Sequence, residues 1–188
     1  MGPVQRWNQG ISAWIQGPEE QPLTVIGFLT DWLFSGQVVV GLGIAACIVF
    51  ALRRQRLAAL SAALIFPLVL VEVALKVLVD QPPASSYLHI RLLFGSSLGV
   101  RALEHGFPSG HASRIGFVIG WLALVVVPRR YRWPAAAVLS LLTLFIVWTR
   151  LYVGDHSVLE LLAGLLLAAA FLLPAQALAR LAKATPPR

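Results

Sequence analysis

The chain has 188 residues, 58% hydrophobic and 12% charged, with a formal net charge of +7 and a mean hydropathy of +0.78. Soluble domains run at roughly 45–50% apolar and about 25% charged residues. The composition therefore excludes a water-soluble globule, a disordered chain and, with Cys47 as its one cysteine, a disulfide scaffold. An all-α, polytopic membrane helix bundle of one domain remains.

In chain order, residues 1–22 read as an N-terminal amphipathic interfacial segment. Val4, Trp7, Ile11, Trp14 and Ile15 share one helical face, the spacing of a helix at headgroup level. A helix packed on the bundle carries the same pattern. No signal peptide is expected, since neither an apolar core region nor a small-residue cleavage site follows Arg6. Residues 23–188 are expected to form the transmembrane domain. A crossing takes about 20 apolar residues, and about five segments approach that length: 32–52, 57–79, 109–128, 133–149 and 156–173. Glycines 36, 41 and 43 weaken the first of them. Trp133 and Trp148, near span ends, read as interface anchors, and mid-span Trp121 and Cys47 as packing residues.

The basic residues sort by connection. Arg53, Arg54 and Arg56 fill one turn, Arg129, Arg130 and Arg132 another, and Arg180, Lys183 and Arg188 the C-terminal tail. These nine of the 15 Lys and Arg are expected on the cytoplasmic side. Short basic turns do not make the continuous stripe that nucleic acid requires, so no nucleic-acid partner is expected.

Charges inside or at the ends of spans are costly and mark function by default. Lys76 ends the second span; Ser109, Gly110 and His111 open the third; Arg150 ends the fourth; His156 and Glu160 open the fifth. Span counting brings them all to the same, extracytoplasmic end. A helix start at Ser109-Gly110 seats an anion, and Lys76 and Arg150 add charge-assisted bonds to phosphate oxygens. His156 and Glu160 are four apart on one helical face, so the carboxylate fixes the imidazole tautomer and frees the other nitrogen for attack. His111 then serves as acid and base. These residue types suit phosphoryl transfer through a phosphohistidine.

Lys76 followed by Asp80-Gln81-Pro82-Pro83, then Phe107-Pro108-Ser109-Gly110-His111, then Arg150-x5-His156-x3-Glu160, resembles the type-2 phosphatidic acid phosphatase superfamily over residues 23–173. The family pattern is K-x6-R-P, P-S-G-H and S-R-x5-H-x3-D. The resemblance implies a metal-independent membrane phosphatase with no cofactor, acting on lipid phosphates. It assigns His156 as nucleophile, His111 as acid and base, and Lys76, Ser109, Gly110 and Arg150 as phosphate ligands. Isoprenyl phosphates or diphosphates, such as an undecaprenyl carrier, are the first substrate expectation; phosphatidic acid and phosphatidylglycerol phosphate are next. The expected location is a bacterial cytoplasmic membrane with the site facing outward.

Three positions depart from the pattern. Thr149 replaces the serine, Glu160 replaces the aspartate, and Pro83-Ala84 stand where the first motif has Arg-Pro. Arg114, one helical turn after His111, is the expected replacement phosphate ligand, with Arg91 and Arg101 in the 80–107 loop as rivals. The competing readings are satisfied structural histidines, a zinc site on His156 and Glu160 with Asp155, a phosphotransferase, and a non-catalytic lipid-phosphate binder with a decayed site. Glu72 and Lys76 are spaced for an ion pair. Asp80 and Asp155 read as loop or cap residues, and Glu104 and His105 as loop residues.

Overall fold

Proline, glycine and capping hydroxyls divide the chain into its helices. In the computed structural model, described for residues 2–17, 21–79, 81, 84, 88 and 106–184, all regular structure is helical. Helix α1 spans Pro3–Gln16 and has proline in its first turn, where the missing N–H costs nothing. Helix α2 (Gln21–Leu33) meets α3 (Gly36–Leu52) at a 47° bend, and Ser35 caps α3 by accepting from Val38 N. Helices α4 (Arg56–Ala63) and α5 (Ile65–Leu78) make one apolar stretch interrupted at Leu64. Pro67 explains the interruption, because it has no N–H to offer Ala63 and its ring crowds that carbonyl. Helix α6 (Gly110–Trp121) runs into a π-helical turn, Leu122–Val126. A 3₁₀ turn, Arg129–Tyr131, leads to α7 (Arg132–Val153), and α8 covers Val158–Ala184.

Among the described residues, three helical stretches are long and apolar enough to cross a membrane: Arg56–Leu78, Arg129–Val153 and Val158–Ala182. The bent α2–α3 pair makes a fourth if it counts as one span, and Gly110–Val126 is a shorter apolar helix. With Gly110–Val126 and the bent pair these make five apolar helical stretches among the described residues, in keeping with the expected count of about five. The segment at 32–52 reaches membrane length only jointly with α2, and the one at 109–128 is cut short by the π turn and Pro128. The chain is an integral membrane protein, and its outward faces carry exposed Leu70, Val77, Leu141 and Leu166, as lipid contact requires.

Helix α6 lies at the centre, packed on α5, α7 and α8. Ile65, Leu68, Ile115 and Phe117 are fully buried in the main core. Trp121 joins that core, as expected, donating from Nε1 to Ser61 Oγ at 3.1 Å and standing edge-on to Phe50. A smaller apolar cluster of Ala112, Val147, Leu151 and Leu161 takes Ile15 of α1 against it. Consecutive spans alternate in direction, so the end of α5, the start of α6, the end of α7 and the start of α8 meet at one end. The arginine turns lie at the other.

Helix α1 docks by its polar face. Asn8, Ser12 and Gln16 are buried, whereas Val4, Trp7 and Trp14 are exposed. The helix thus packs on the bundle, the second of its two sequence readings, with exposed apolar residues on its other side.

Candidate active site

Two helix starts and one helix end build the site. Ser109 caps α6, its hydroxyl accepting from Ala112 N at 3.3 Å, while its own N–H donates to the Glu160 carbonyl at 2.9 Å. The first intrahelical bond of α6, from Ser113 N, returns to Ser109 O. The N–H groups of Gly110 and His111 are therefore the pair left at this helix start for an anion. A Cβ at Gly110 would run into the ends of the Glu72 and Arg114 side chains, so a larger residue there would have to push that pair aside.

At the other side of the site, α7 ends at Gly154, whose φ of +90° supplies the left-handed stop that turns the chain toward His156. Ser157 and Glu160 cap each other across the first turn of α8. Ser157 N donates to Glu160 Oε2 at 3.3 Å and Glu160 N to Ser157 Oγ at 3.5 Å, the reciprocal arrangement of a capping box. The same carboxylate oxygen lies 2.8 Å from His156 Nδ1. Both partners are buried, so Nδ1 is committed to Glu160 and Nε2 is the free nitrogen. The His111 and His156 rings face each other with centroids 5.9 Å apart.

Arg150 is 1% exposed, and a buried guanidinium requires partners. Its Nη1 donates to Asp31 Oδ1 at 2.9 Å and Asp155 Oδ2 at 3.3 Å, and its Nη2 to Thr30 Oγ1 at 3.1 Å and to the Gly27 carbonyl. Thr149, standing for the family serine, bonds Thr30 Oγ1 at 3.1 Å and so braces the Arg150 cradle from behind. Arg150 Nε is buried without a partner among the described residues.

Most residues named from the sequence come together here. His111, His156, Glu160, Ser109, Gly110 and Arg150 share one site. Lys76, in the last turn of α5, lies within electrostatic range of Glu72 first, and then of Arg114, Glu160 and Asp155. The expected Glu72–Lys76 ion pair is replaced by another. Glu72 accepts from Ser113 Oγ at 3.0 Å and pairs with Arg114 Nε at 3.5 Å, and no Lys76 ion pair within 4.0 Å occurs among the described residues. Arg114 Nε also donates to the Gly110 carbonyl at 2.6 Å. Its observed contacts thus brace the Ser109-Gly110-His111 turn and neutralise Glu72, which differs from the direct phosphate contact expected of it. Asp155 is not a plain loop residue but an Arg150 partner. Arg91, Arg101, Asp80, Pro83, Glu104 and His105 lie outside the described residues.

Sequence reasoning missed Asp31, whose Oδ1 also lies 3.0 Å from His111 Nε2. The signal was available: Asp31 is an acid inside an apolar helix, but the first span was drawn to begin one residue after it. The zinc reading gains one observation and loses another. Ligand atoms of His111, Asp155 and His156 lie within 4.8 Å of one another, yet Arg150, a permanent cation, is bonded to Asp155.

A family model described as the PAP2 superfamily matches residues 56–181. Among solved structures, the chain is similar to the first transmembrane PAP2-type phosphatidylglycerolphosphate phosphatase from Bacillus subtilis. That match has a TM-score of 0.71 and 19% identity, covering 98% of this chain and 86% of that one. It is also similar to LpxE of Aquifex aeolicus, with a TM-score of 0.60 and 20% identity over 95% of this chain and 96% of that one. No curated protein sequence matches. The family match takes in the Ser109-Gly110-His111 turn, Arg150, His156 and Glu160, and this chain belongs to the PAP2 superfamily.

Proposed function

We propose that this protein is a membrane phosphatase that removes phosphate from a lipid phosphate or diphosphate through a phosphohistidine intermediate. The observation that carries the reading is the commitment of His156 Nδ1 to buried Glu160, which leaves Nε2 as a nucleophile beside His111 and the two open N–H groups of α6. His156 Nε2 attacks phosphorus as the P–O bond to the lipid breaks, and His111 gives its proton to the departing oxygen. His111 then takes a proton from water as that water attacks phosphorus and the P–N bond to His156 breaks, releasing phosphate. Gly110 N–H, His111 N–H, Arg150 and Lys76 are the groups suited to the phosphoryl oxygens. Ser109 contributes by setting the turn, since its hydroxyl and N–H are engaged within the fold.

Isoprenyl phosphate or diphosphate is the first substrate class, with phosphatidic acid and phosphatidylglycerol phosphate next. A cavity of about 390 Å³ lined by Gly120, Leu124, Ala136, Leu139 and Leu172 lies between α6, α7 and α8, well along these helices from the site toward the arginine turns, in the part of the bundle that a lipid chain rather than a headgroup would reach. The arginine turns support an orientation with the site on the extracytoplasmic face, and a bacterial cytoplasmic membrane is the proposed location. An Arg129→Cys variant should then react with a membrane-impermeant thiol reagent only from the cytoplasmic side.

Phosphate release by the purified protein from a panel of these lipids tests the reading, with His156→Ala as control. Release by the parent protein is expected, with an acid-labile phosphoryl label trapped on the chain. Release that persists in His156→Ala overturns the mechanism, and no release from any lipid favours a phosphate-binding protein.

A further inference from the structure

His156 stands just before α8 and Glu160 lies in its first turn, and that helix completes only part of its own cap. Ser157 receives Glu160 N, and Leu161 N returns to Ser157 O at 3.0 Å. The N–H groups of Val158 and Leu159 remain, and nothing within α8 can accept them. Helix α1 accepts both. Ser12 Oγ lies 3.0 Å from Val158 N, and Asn8 Oδ1 lies 3.0 Å from Leu159 N. Asn8 is 1% exposed and Ser12 fully buried. One turn further along, Gln16 Nε2 donates to the Tyr152 carbonyl at 3.4 Å. The turn that joins Arg150 to His156 is therefore held by α1 on both flanks.

The other side of α1 is suited to lipid. Val4, Trp7 and Trp14 are 65%, 51% and 80% exposed. A helix that buries asparagine, serine and glutamine while exposing two tryptophans is inside out for water. It is right way out for a membrane interface, where tryptophan is at home.

We propose that α1 is a positioning helix for the nucleophile: Asn8, Ser12 and Gln16 fix the α7–α8 turn and so orient His156, while Val4, Trp7 and Trp14 hold α1 in the headgroup layer. The proposal extends the phosphatase reading and rests on it for the kinetic consequence. Neither Asn8 nor Ser12 touches substrate in this scheme. Their effect passes through the backbone of Val158 and Leu159 to the ring of His156, and a displacement of about 1 Å at a reacting group can cost on the order of 100-fold in rate.

The test compares the full-length protein with Asn8→Ala/Ser12→Ala in lipid vesicles of phosphatidylethanolamine and phosphatidylglycerol. The double variant should lose roughly tenfold or more in kcat with KM nearly unchanged, and Asn8→Asp, which keeps an acceptor for Leu159 N, should retain turnover. The second arm needs no turnover: the ring resonances of His156 in histidine-labelled protein should shift in the double variant and stay in place in Asn8→Asp. Should the double variant fail to fold, Ser12→Ala alone is read in the same way. Unchanged kcat together with unmoved His156 resonances overturns the positioning role and leaves the phosphatase reading standing. Shifted resonances in a protein that releases no phosphate from any lipid support the positioning role and overturn the phosphatase reading.

Discussion

Asp31 Oδ1 lies 3.0 Å from His111 Nε2, and the same oxygen takes the Arg150 Nη1 hydrogen bond at 2.9 Å. One carboxylate from α2 thus touches both the residue assigned to proton transfer and the buried cation assigned to phosphate. In the proposed mechanism this carboxylate would support the imidazolium formed as His111 takes a proton from water, and would compete with phosphate for Arg150.

Replacing Asp31 by asparagine keeps the shape and removes the charge, so the two effects separate. Turnover should fall about tenfold as His111 loses a partner for its charged form. Orthovanadate, a phosphate mimic, should bind roughly fivefold tighter. That figure corresponds to about 1 kcal/mol, a like-charge interaction heavily discounted for the open side of Asp31. Steady-state kinetics with vanadate inhibition reads both numbers. Unchanged values for both remove Asp31 from the site.

Glu160 accepts from Ser157 N and holds His156 Nδ1 with one oxygen, and Gln81 Nε2 reaches its other oxygen at 3.5 Å. In Glu160→Gln the amide presents N–H hydrogens to Nδ1 and favours the wrong tautomer. Loss of the tautomer-setting acid in a comparable triad costs on the order of 10⁴ in kcat. A fall of about 10³ or more, with KM nearly unchanged, is expected from phosphate release. A loss under tenfold would show that His156 is not oriented through this carboxylate.

The bundle and its site differ in how much of each was legible beforehand. Apolar runs and arginine turns carry the helix positions because hydrocarbon tolerates few exceptions. Lys76, Arg150 and His156 stood out as charged or titratable groups where charge is expensive. Spacing also pointed to the His156–Glu160 contact, although His156 stands just before α8 and meets Glu160 from the preceding turn. Partners on other helices were not legible: Glu72 is four residues from Lys76, yet it chooses Arg114 and Ser113 across the α5–α6 interface. Asn8 and Ser12 were hidden for a related reason. Polar residues on an amphipathic helix read as the wet face, and only the packing shows that they are the docked one. The capping box Ser157-x-x-Glu160 was visible as a pattern, but the histidine spacing drew attention to the same glutamate first.

The Arg114–Glu72 pair gives a stability prediction. Their side chains are 12% and 5% exposed, and removing one member of such a buried pair costs about 3–5 kcal/mol because the other charge is stranded. Glu72→Ala should therefore lower the thermal midpoint markedly in detergent. Glu72→Gln/Arg114→Met, which removes both charges, should lower it much less. Arg114→Ala should also raise KM by about tenfold, since the Gly110 carbonyl loses its brace and the phosphate turn shifts. Wild-type KM and kcat in that variant would exclude Arg114 from any part in phosphate binding.

Chelation decides between the histidine pair as nucleophile and acid and the same pair as metal ligands. His111, Asp155 and His156 bring ligand atoms within 4.8 Å of one another, a spacing that would admit a small dication. Arg150 is the argument against: its Nη1 is 3.3 Å from Asp155 Oδ2, so an ion on that carboxylate would sit beside a fixed positive charge in a buried site. Protein dialysed against a strong chelator should keep its turnover within about twofold, since a structural or catalytic ion would carry activity away with it. Added zinc should inhibit, competing with the lipid phosphate for both imidazoles. Activity lost on chelation and restored by zinc would reverse the assignment, making His156 a ligand and leaving metal-bound water as the nucleophile.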